Sequence, residues 1–219
     1  MKLIKIVAIP LIVSATAYAG PIASQGYFEA GLVTGEYTLD AGNLVPGLGS
    51  ASDDVTGFRL LGGFNLVDAF SFDARYEHTE TSDDFEADEL RLLFNAEAKY
   101  SDNLSFVGGL GYAWMIYDFD GFFEIDGDGF IVNLGPKYVN GPVFGSLIYS
   151  HIFVQNAEVS VPGVGSADLA NEDVGLLEAT VGYNINEDLA VTLSYETQIG
   201  GDTVIDKDWV AALGLRFNF

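Results

Sequence analysis

Residues 89–100, ELRLLFNAEAKY, carry Glu89, Arg91, Asn95, Glu97 and Lys99 at odd positions and Leu90, Leu92, Phe94, Ala96, Ala98 and Tyr100 at even ones. Alternation at period 2 predicts a strand with two unlike faces. The same pattern recurs along the chain. Residues 104–117 set Leu104, Phe106, Leu110, Tyr112, Trp114 and Ile116 against Ser105, Val107, Gly109, Gly111 and Ala113. Residues 189–199 set Leu189, Val191, Leu193 and Tyr195 against Ala190, Thr192, Ser194 and Glu196. The last segment sets Trp209, Leu213, Leu215, Phe217 and Phe219 against Ala212, Gly214, Arg216 and Asn218.

Turn signals divide the chain. Short ones lie at Val67-Asp68-Ala69, Ser101-Asp102-Asn103, Asn140-Gly141 and Asn186-Glu187-Asp188. Asn-Gly is a strong hairpin signal because both residues tolerate positive φ. Longer, polar, mostly acidic segments alternate with these turns, at 40–54, 82–88, 118–128, 157–173 and 200–206. Ten strands are expected between them: 25–39, 54–66, 70–81, 88–100, 104–117, 129–139, 142–156, 174–185, 189–199 and 207–219. Short turns alternating with long loops are the mark of an outer-membrane barrel, with the turns on the periplasmic side. The expected fold is all-β: a closed, antiparallel, up-and-down transmembrane β-barrel of ten strands, with eight as the alternative count.

Which face meets the surroundings follows from size and charge. Small residues suit the crowded inside of a narrow barrel and large apolar ones suit lipid. An Arg facing lipid near the midplane costs about 2–4 kcal/mol. Arg59, Arg75, Arg91, Lys99, Lys137 and Arg216 all fall on the small or polar parity of their strands; Lys207 does not. Glu29, Asp73, Glu77, Glu89, Glu97, Glu178 and Glu196 share the inner parity. Charges confined in a low-dielectric bore must be paired, so these residues are expected to form a lumen salt-bridge network. Residues 142–156 have no clean face, and there we expect His151 inward with Ser146 and Ser150 toward lipid.

Composition sharpens this picture. The first residues, MKLIKIVAIPLIVSATAYAG, have the basic start, apolar core and small-x-small site of a secretory signal. Residues 1–19 are expected to be removed between Ala19 and Gly20, leaving 20–219 as one barrel domain. Without Lys2 and Lys5 the chain holds 7 basic against 32 acidic residues, a formal charge of −25. That balance argues against nucleic acid and against a basic patch on anionic lipid. There is no cysteine, which excludes disulfides, thiolate metal sites and a lipid-modified cysteine anchor. Hydrophobic residues make up 49%, yet after the signal no apolar run is long enough for a helical span.

These features together, and the terminal GLRFNF above all, resemble the small outer-membrane β-barrel proteins of Gram-negative bacteria, the OmpA/OmpX-like group. Gly214, Phe217 and Phe219 match that group's C-terminal assembly signal, although Ala212 stands where a polar residue is usual. The resemblance covers the whole mature chain. It implies an outer-membrane location, contact with outer-membrane lipid and lipopolysaccharide, and handling by periplasmic chaperones and the barrel-assembly machinery. The group usually has eight strands, and with the chain ending at Phe219 no peptidoglycan-binding domain is expected. A monomer without a cofactor is expected.

Candidate chemistry is sparse. His78 and His151 are the two histidines, and His78 has Asp83 and Asp84 downstream. A His beside carboxylates can serve as a general base. Neither site matches the paired Asp and Asp-x-His arrangement of outer-membrane proteases or the His-x-Ser of lipid A deacylases. Asp118, Asp120, Asp126 and Asp128, with Glu124, form a weak Ca²⁺ candidate whose spacing departs from the EF-hand loop. Phe119, Phe122 and Phe123 there would touch a partner or fold over the barrel mouth. The expected role is structural or surface-interacting, through acidic loops, over a bore filled by charged side chains. A narrow cation-preferring channel is the first alternative, and a rim enzyme is the second.

Overall fold

Where the faces alternate without interruption, strands form and neighbours pair. The computed structural model describes residues 26–40, 49–67, 69–82, 85–119, 122–169, 173–201 and 203–219. The expected signal, with Ala19 and Gly20, lies outside the described residues, as do Asp83, Asp84 and Asp120. Eleven strands are present: β1 Gly26–Asp40, β2 Ser50–Val67, β3 Phe70–Glu80, β4 Phe85–Lys99, β5 Leu104–Phe119, β6 Phe123–Asn140, β7 Val143–Val161, β8 Gly165–Asp168, β9 Val174–Asn184, β10 Leu189–Gly200 and β11 Ile205–Asn218. No helix occurs among the described residues.

Ten of these strands are the staves of a closed barrel. Each pairs antiparallel with its chain neighbour, β1 pairs with β11, and β7 joins β6 on one edge and β9 on the other. The β1–β11 seam runs from Tyr27↔Asn218 to Leu39↔Ile205, and backbone bonds between Gly26 and Phe219 finish it. Ten staves are present, so the eight-strand alternative falls. Strand β8 is an addition: it folds back on the end of β7, from Glu158↔Asp168 to Val161↔Gly165. Pro162 and Gly163 make its turn, Gly163 with φ 77°, the Pro-Gly signature of a type II turn.

Two expectations about connections need correction. Within the described residues, the segments expected as long loops are largely strand: of 118–128 only 120–122 lie between β5 and β6. The acidic stretches keep their period-2 alternation, so the ladder continues through them and the staves outgrow the membrane. At the β6–β7 turn Asn140 pairs with Val143, so Gly141-Pro142 occupies the centre instead of Asn140-Gly141. Only Gly141 has positive φ, at 58°, as a turn with Gly at its first central position requires.

The wall has two zones. In the zone toward the short turns, Phe28, Leu32, Phe64, Phe94, Phe106, Leu134, Leu213 and Phe217 face outward and exposed, while Glu29, Arg59, Arg75, Arg91 and Asn133 face in and are buried. Toward the long-loop end the sense reverses. Val55, Phe85, Ala87, Ile125 and Ile205 pack together inside, with Tyr117, Phe119 and Phe123 against them. Asp54, Glu80, Glu86 and Asp118 stand outside, exposed. Outward Tyr112, Trp114, Tyr195 and Trp209 mark the change of zone. Hydrocarbon surrounds the first zone and water the second, and each zone turns its apolar row accordingly.

Candidate functional site

The middle of the bore is crossed by ion pairs. On β2 Arg59 meets Glu77 of β3 through Nη2 at 2.6 Å, and its Nη1 donates to Ser194 Oγ of β10 at 2.6 Å. On β3 Arg75 Nη1 reaches Glu196 at 2.9 Å and Glu178 at 3.0 Å, on β10 and β9. On β4 Arg91 grips both oxygens of Glu196, Nη1 at 2.7 Å and Nη2 at 2.9 Å, and also contacts Glu89. The contacts from β2, β3 and β4 to β9 and β10 are chords from one wall across the bore to another. They exist because alternation on every stave sends its charged row to the same axis.

At the centre stands Lys207, which the parity of β11 had assigned to the outer face. Its ammonium donates to Glu77 at 3.0 Å, Glu89 at 2.8 Å and Glu196 at 2.9 Å. A bulge explains the miss. Glu36 pairs with Trp209 and Tyr37 with Lys207, so Asp208 is an extra residue and the parity of β11 changes there. A bulge adds one residue to one strand and re-aims the side chains beyond it. Glu77, Glu89 and Glu196 are the one group of three acidic residues among the described residues whose oxygens converge as metal ligands would. Lys207 already occupies the place of the cation.

The layer balances. Arg59, Arg75, Arg91 and Lys207 face Glu77, Glu89, Glu178 and Glu196, four charges of each sign. All but Glu178 are nearly inaccessible to solvent, with side chains at most 10% exposed. The other expected members sit apart from it. Arg216 pairs with Glu29 at 2.8 Å and lies over the rings of Tyr27 and Phe144. Lys137 pairs with Glu97 at 3.0 Å. Lys99 is exposed at the short-turn end, near enough to Glu97 for its charge to act there. Asp73 is held by neutral donors, Tyr27 Oη at 2.9 Å, Ser71 Oγ at 3.2 Å and Asn95 Nδ2 at 2.5 Å.

Gly214 faces inward, where a Cβ would come within 2.8 Å of Glu29 Oε1, so its lack of a side chain makes room for the Glu29–Arg216 pair. Phe217 and Phe219 face outward and exposed at the seam. On β7 the expected orientation is reversed: Ser150 and Ile152 are buried inside and His151 points out. Asp128 pairs with Asn156 and Gly129 with Val154, so Gln155 is an extra residue that changes the parity within the strand. Below it Ile148, Ser150 and Ile152 face in, and above it Ala157 and Val159 do.

Both histidines therefore lie on the outer surface. His78 Nδ1 is 3.0 Å from Asp88 Oδ1, which also accepts from Tyr76 at 2.5 Å. His151 shares Nδ1 with Tyr149 Oη at 2.9 Å and sets Nε2 3.4 Å from Asp173. Of the Ca²⁺ candidate, Asp118 is exposed, and Asp128 takes bonds from Tyr112 and Asn156. Beside it, Glu124 has its carboxyl raised above the usual range by partial burial and by the charge of Asp126. Phe119 and Phe123 stack at 4.3 Å and close over the mouth, whereas Phe122 projects outward.

No protein-family profile matches this chain, and no curated protein sequence does. Solved structures match in shape. The outer membrane protease OmpT from Escherichia coli aligns with TM-score 0.62 at 10% identity, over 94% of this chain and 100% of that one. An outer membrane channel from Pseudomonas putida F1 aligns with TM-score 0.56 at 10% identity, over 94% and 98%. This chain has the outer-membrane β-barrel fold. The beta domain of the Bordetella autotransporter BrkA shares it, with TM-score 0.50 at 10% identity over 89% and 100%. A protease, a channel and an autotransporter domain on one fold leave the role of this barrel to its own residues.

Proposed function

We propose that the protein is an integral outer-membrane barrel that works as a structural and surface-contact element, with its bore shut. The observation that carries this reading is the neutral ion layer. A polar space of about 380 Å³ opens on the short-turn side, reaching Arg75, Arg91 and Glu178. Above it the chords from β2, β3 and β4 to β9, β10 and β11 cross the axis. Hydrated ions need either a continuous aqueous path or a lining that replaces their water. Neither is offered by cations and carboxylates that already satisfy one another.

What the barrel presents outward is an apolar belt for lipid and a carboxylate-rich upper wall. The first supports residence in the outer membrane; the second supports contact with cationic or cation-bridged partners at the cell surface, lipopolysaccharide among them. Catalysis is disfavoured by position. OmpT is a protease, but here both histidines sit on the outer face, His78 against Asp88 and His151 against Tyr149 and Asp173. Purified protein in planar bilayers should show no resolved openings, and regular steps would overturn the shut bore. For catalysis, the joint variant His78→Ala/His151→Ala should match the parent in peptide and lipid A turnover assays; turnover by the parent that this variant loses would establish an enzyme.

A further inference from the structure

Above the ion layer the bore reopens into a second, smaller space. It measures about 130 Å³, and its wall is mainly hydrocarbon, from Met115, Ile125, Ile152, Val174 and Leu176. Lys207 and Glu89 form the floor. Their charges are already committed, because Lys207 binds three carboxylates and Glu89 is held by Lys207 and Arg91. At the rim Gln198 and Thr203 are bonded to each other and both to Asp206. A charged guest would find no open counter-charge here, and water would find few partners. An apolar cavity of about 150 Å³ stays dry and takes up benzene.

Gly127 is the second observation. It lines this cavity on β6, and a Cβ there would meet only Met115 Cε at 3.6 Å and the Asn156 carbonyl at 3.9 Å, ordinary contacts. Two residues away, a Cβ on Gly129 would come within 2.4 Å of the Phe153 carbonyl. Packing demands glycine at 129. Neither packing nor backbone demands it at 127, whose φ is not in the left-handed region. A small chain at 127 keeps volume open that an ordinary apolar residue would fill.

We infer that this cavity is a binding site for a small, uncharged, apolar molecule about the size of one aromatic ring, admitted from the long-loop side. The ion layer forms its floor, so the guest leaves by the route it entered. That last feature rests on the shut bore proposed above; binding itself does not.

Met115 makes the test direct, since the only other methionine is Met1, in the expected signal. Mature protein carrying ¹³C-methyl methionine, in lipid nanodiscs, is titrated with toluene and separately with benzoate. The Met115 methyl resonance should move with toluene to a plateau and stay still with benzoate. Gly127→Leu, which fills the cavity, should lose the plateau while keeping the spectrum of a folded barrel; Ala157→Leu does the same from the neighbouring stave. A shift that rises without saturation marks partition into lipid and overturns the site. So does an equal response to benzoate, or a plateau that survives filling. The parent's own curve decides even where a variant fails to fold. Bilayer conductance is read separately, so failure of the shut bore and failure of this site are distinguishable.

Discussion

At Glu196 one carboxylate, fully buried, serves Arg75, Arg91 and Lys207 together. Glu196→Gln keeps the shape and removes the charge, leaving a net positive layer without solvent. Removing one partner of a buried ion pair costs about 3–5 kcal/mol, and the unfolding temperature followed by circular dichroism should fall accordingly. Arg91→Leu should cost as much, whereas Leu92→Val, on the outer face of the same strand, should cost about 1 kcal/mol or less. The reverse order would mean that the faces are wrongly assigned. Higher up, Glu124 supplies a pH dependence. Its raised carboxyl binds a proton more readily in the folded chain than in the unfolded one. The hairpin end at Glu124 is therefore favoured at acid pH and loses that contribution as pH climbs from the ordinary carboxylate range through the raised value. In a ¹³C titration Asp126→Asn should move the Glu124 midpoint part of the way back toward normal, because burial persists.

At the level of elements, two of the register shifts, at Asp208 and Gln155, carry what alternation could not. Asp208 turns Lys207 into the bore, and Gln155 lets β7 turn Ile152 inward below and Ala157 inward above. Deleting Asp208 would remove the bulge and set Lys207 directly beside outward Trp209, so that Lys207 stays opposite Tyr37 and still faces the bore. Lys207→Met, by contrast, removes the ammonium and leaves three carboxylates unanswered. The deletion should therefore destabilise the barrel far less than Lys207→Met does, measured by the same thermal unfolding. Strands β4 and β5, which pair on both edges without a register shift, show the faces read from their sequences. In β7 a change of parity inside one strand mimics a strand with no preference, and that is why its sequence points His151 inward while the structure turns it out.

For the molecule as a whole, the reversal of the wall at the aromatic level is the organising feature. A membrane cylinder, charged inside, carries on its long-loop side a cylinder of the opposite sense. Trp114 and Trp209, the two tryptophans, face outward near the transition. Brominated lipid should quench both, while aqueous acrylamide should reach them weakly. Truncating Arg75, Arg91 and Lys207 together to Ala would leave Glu89 and Glu196 without counter-charge and Glu77 and Glu178 with Arg59 alone. In planar bilayers that triple variant should open steps that favour cations, where the parent shows none.

The number of staves, their direction and the outward lie of the Phe and Leu rows were legible in the sequence, because a period of two is a local property of each strand and turn residues punctuate it. Membership of the inner row was legible for Arg59, Arg75, Arg91 and their carboxylates for the same reason. The tertiary structure alone decided that Lys207 is the hub, which carboxylate meets which cation across the axis, and that a cavity remains beneath the mouth. A bulge is a mismatch between two strands, and a chord depends on the stagger of all ten. Neither is written in any one segment.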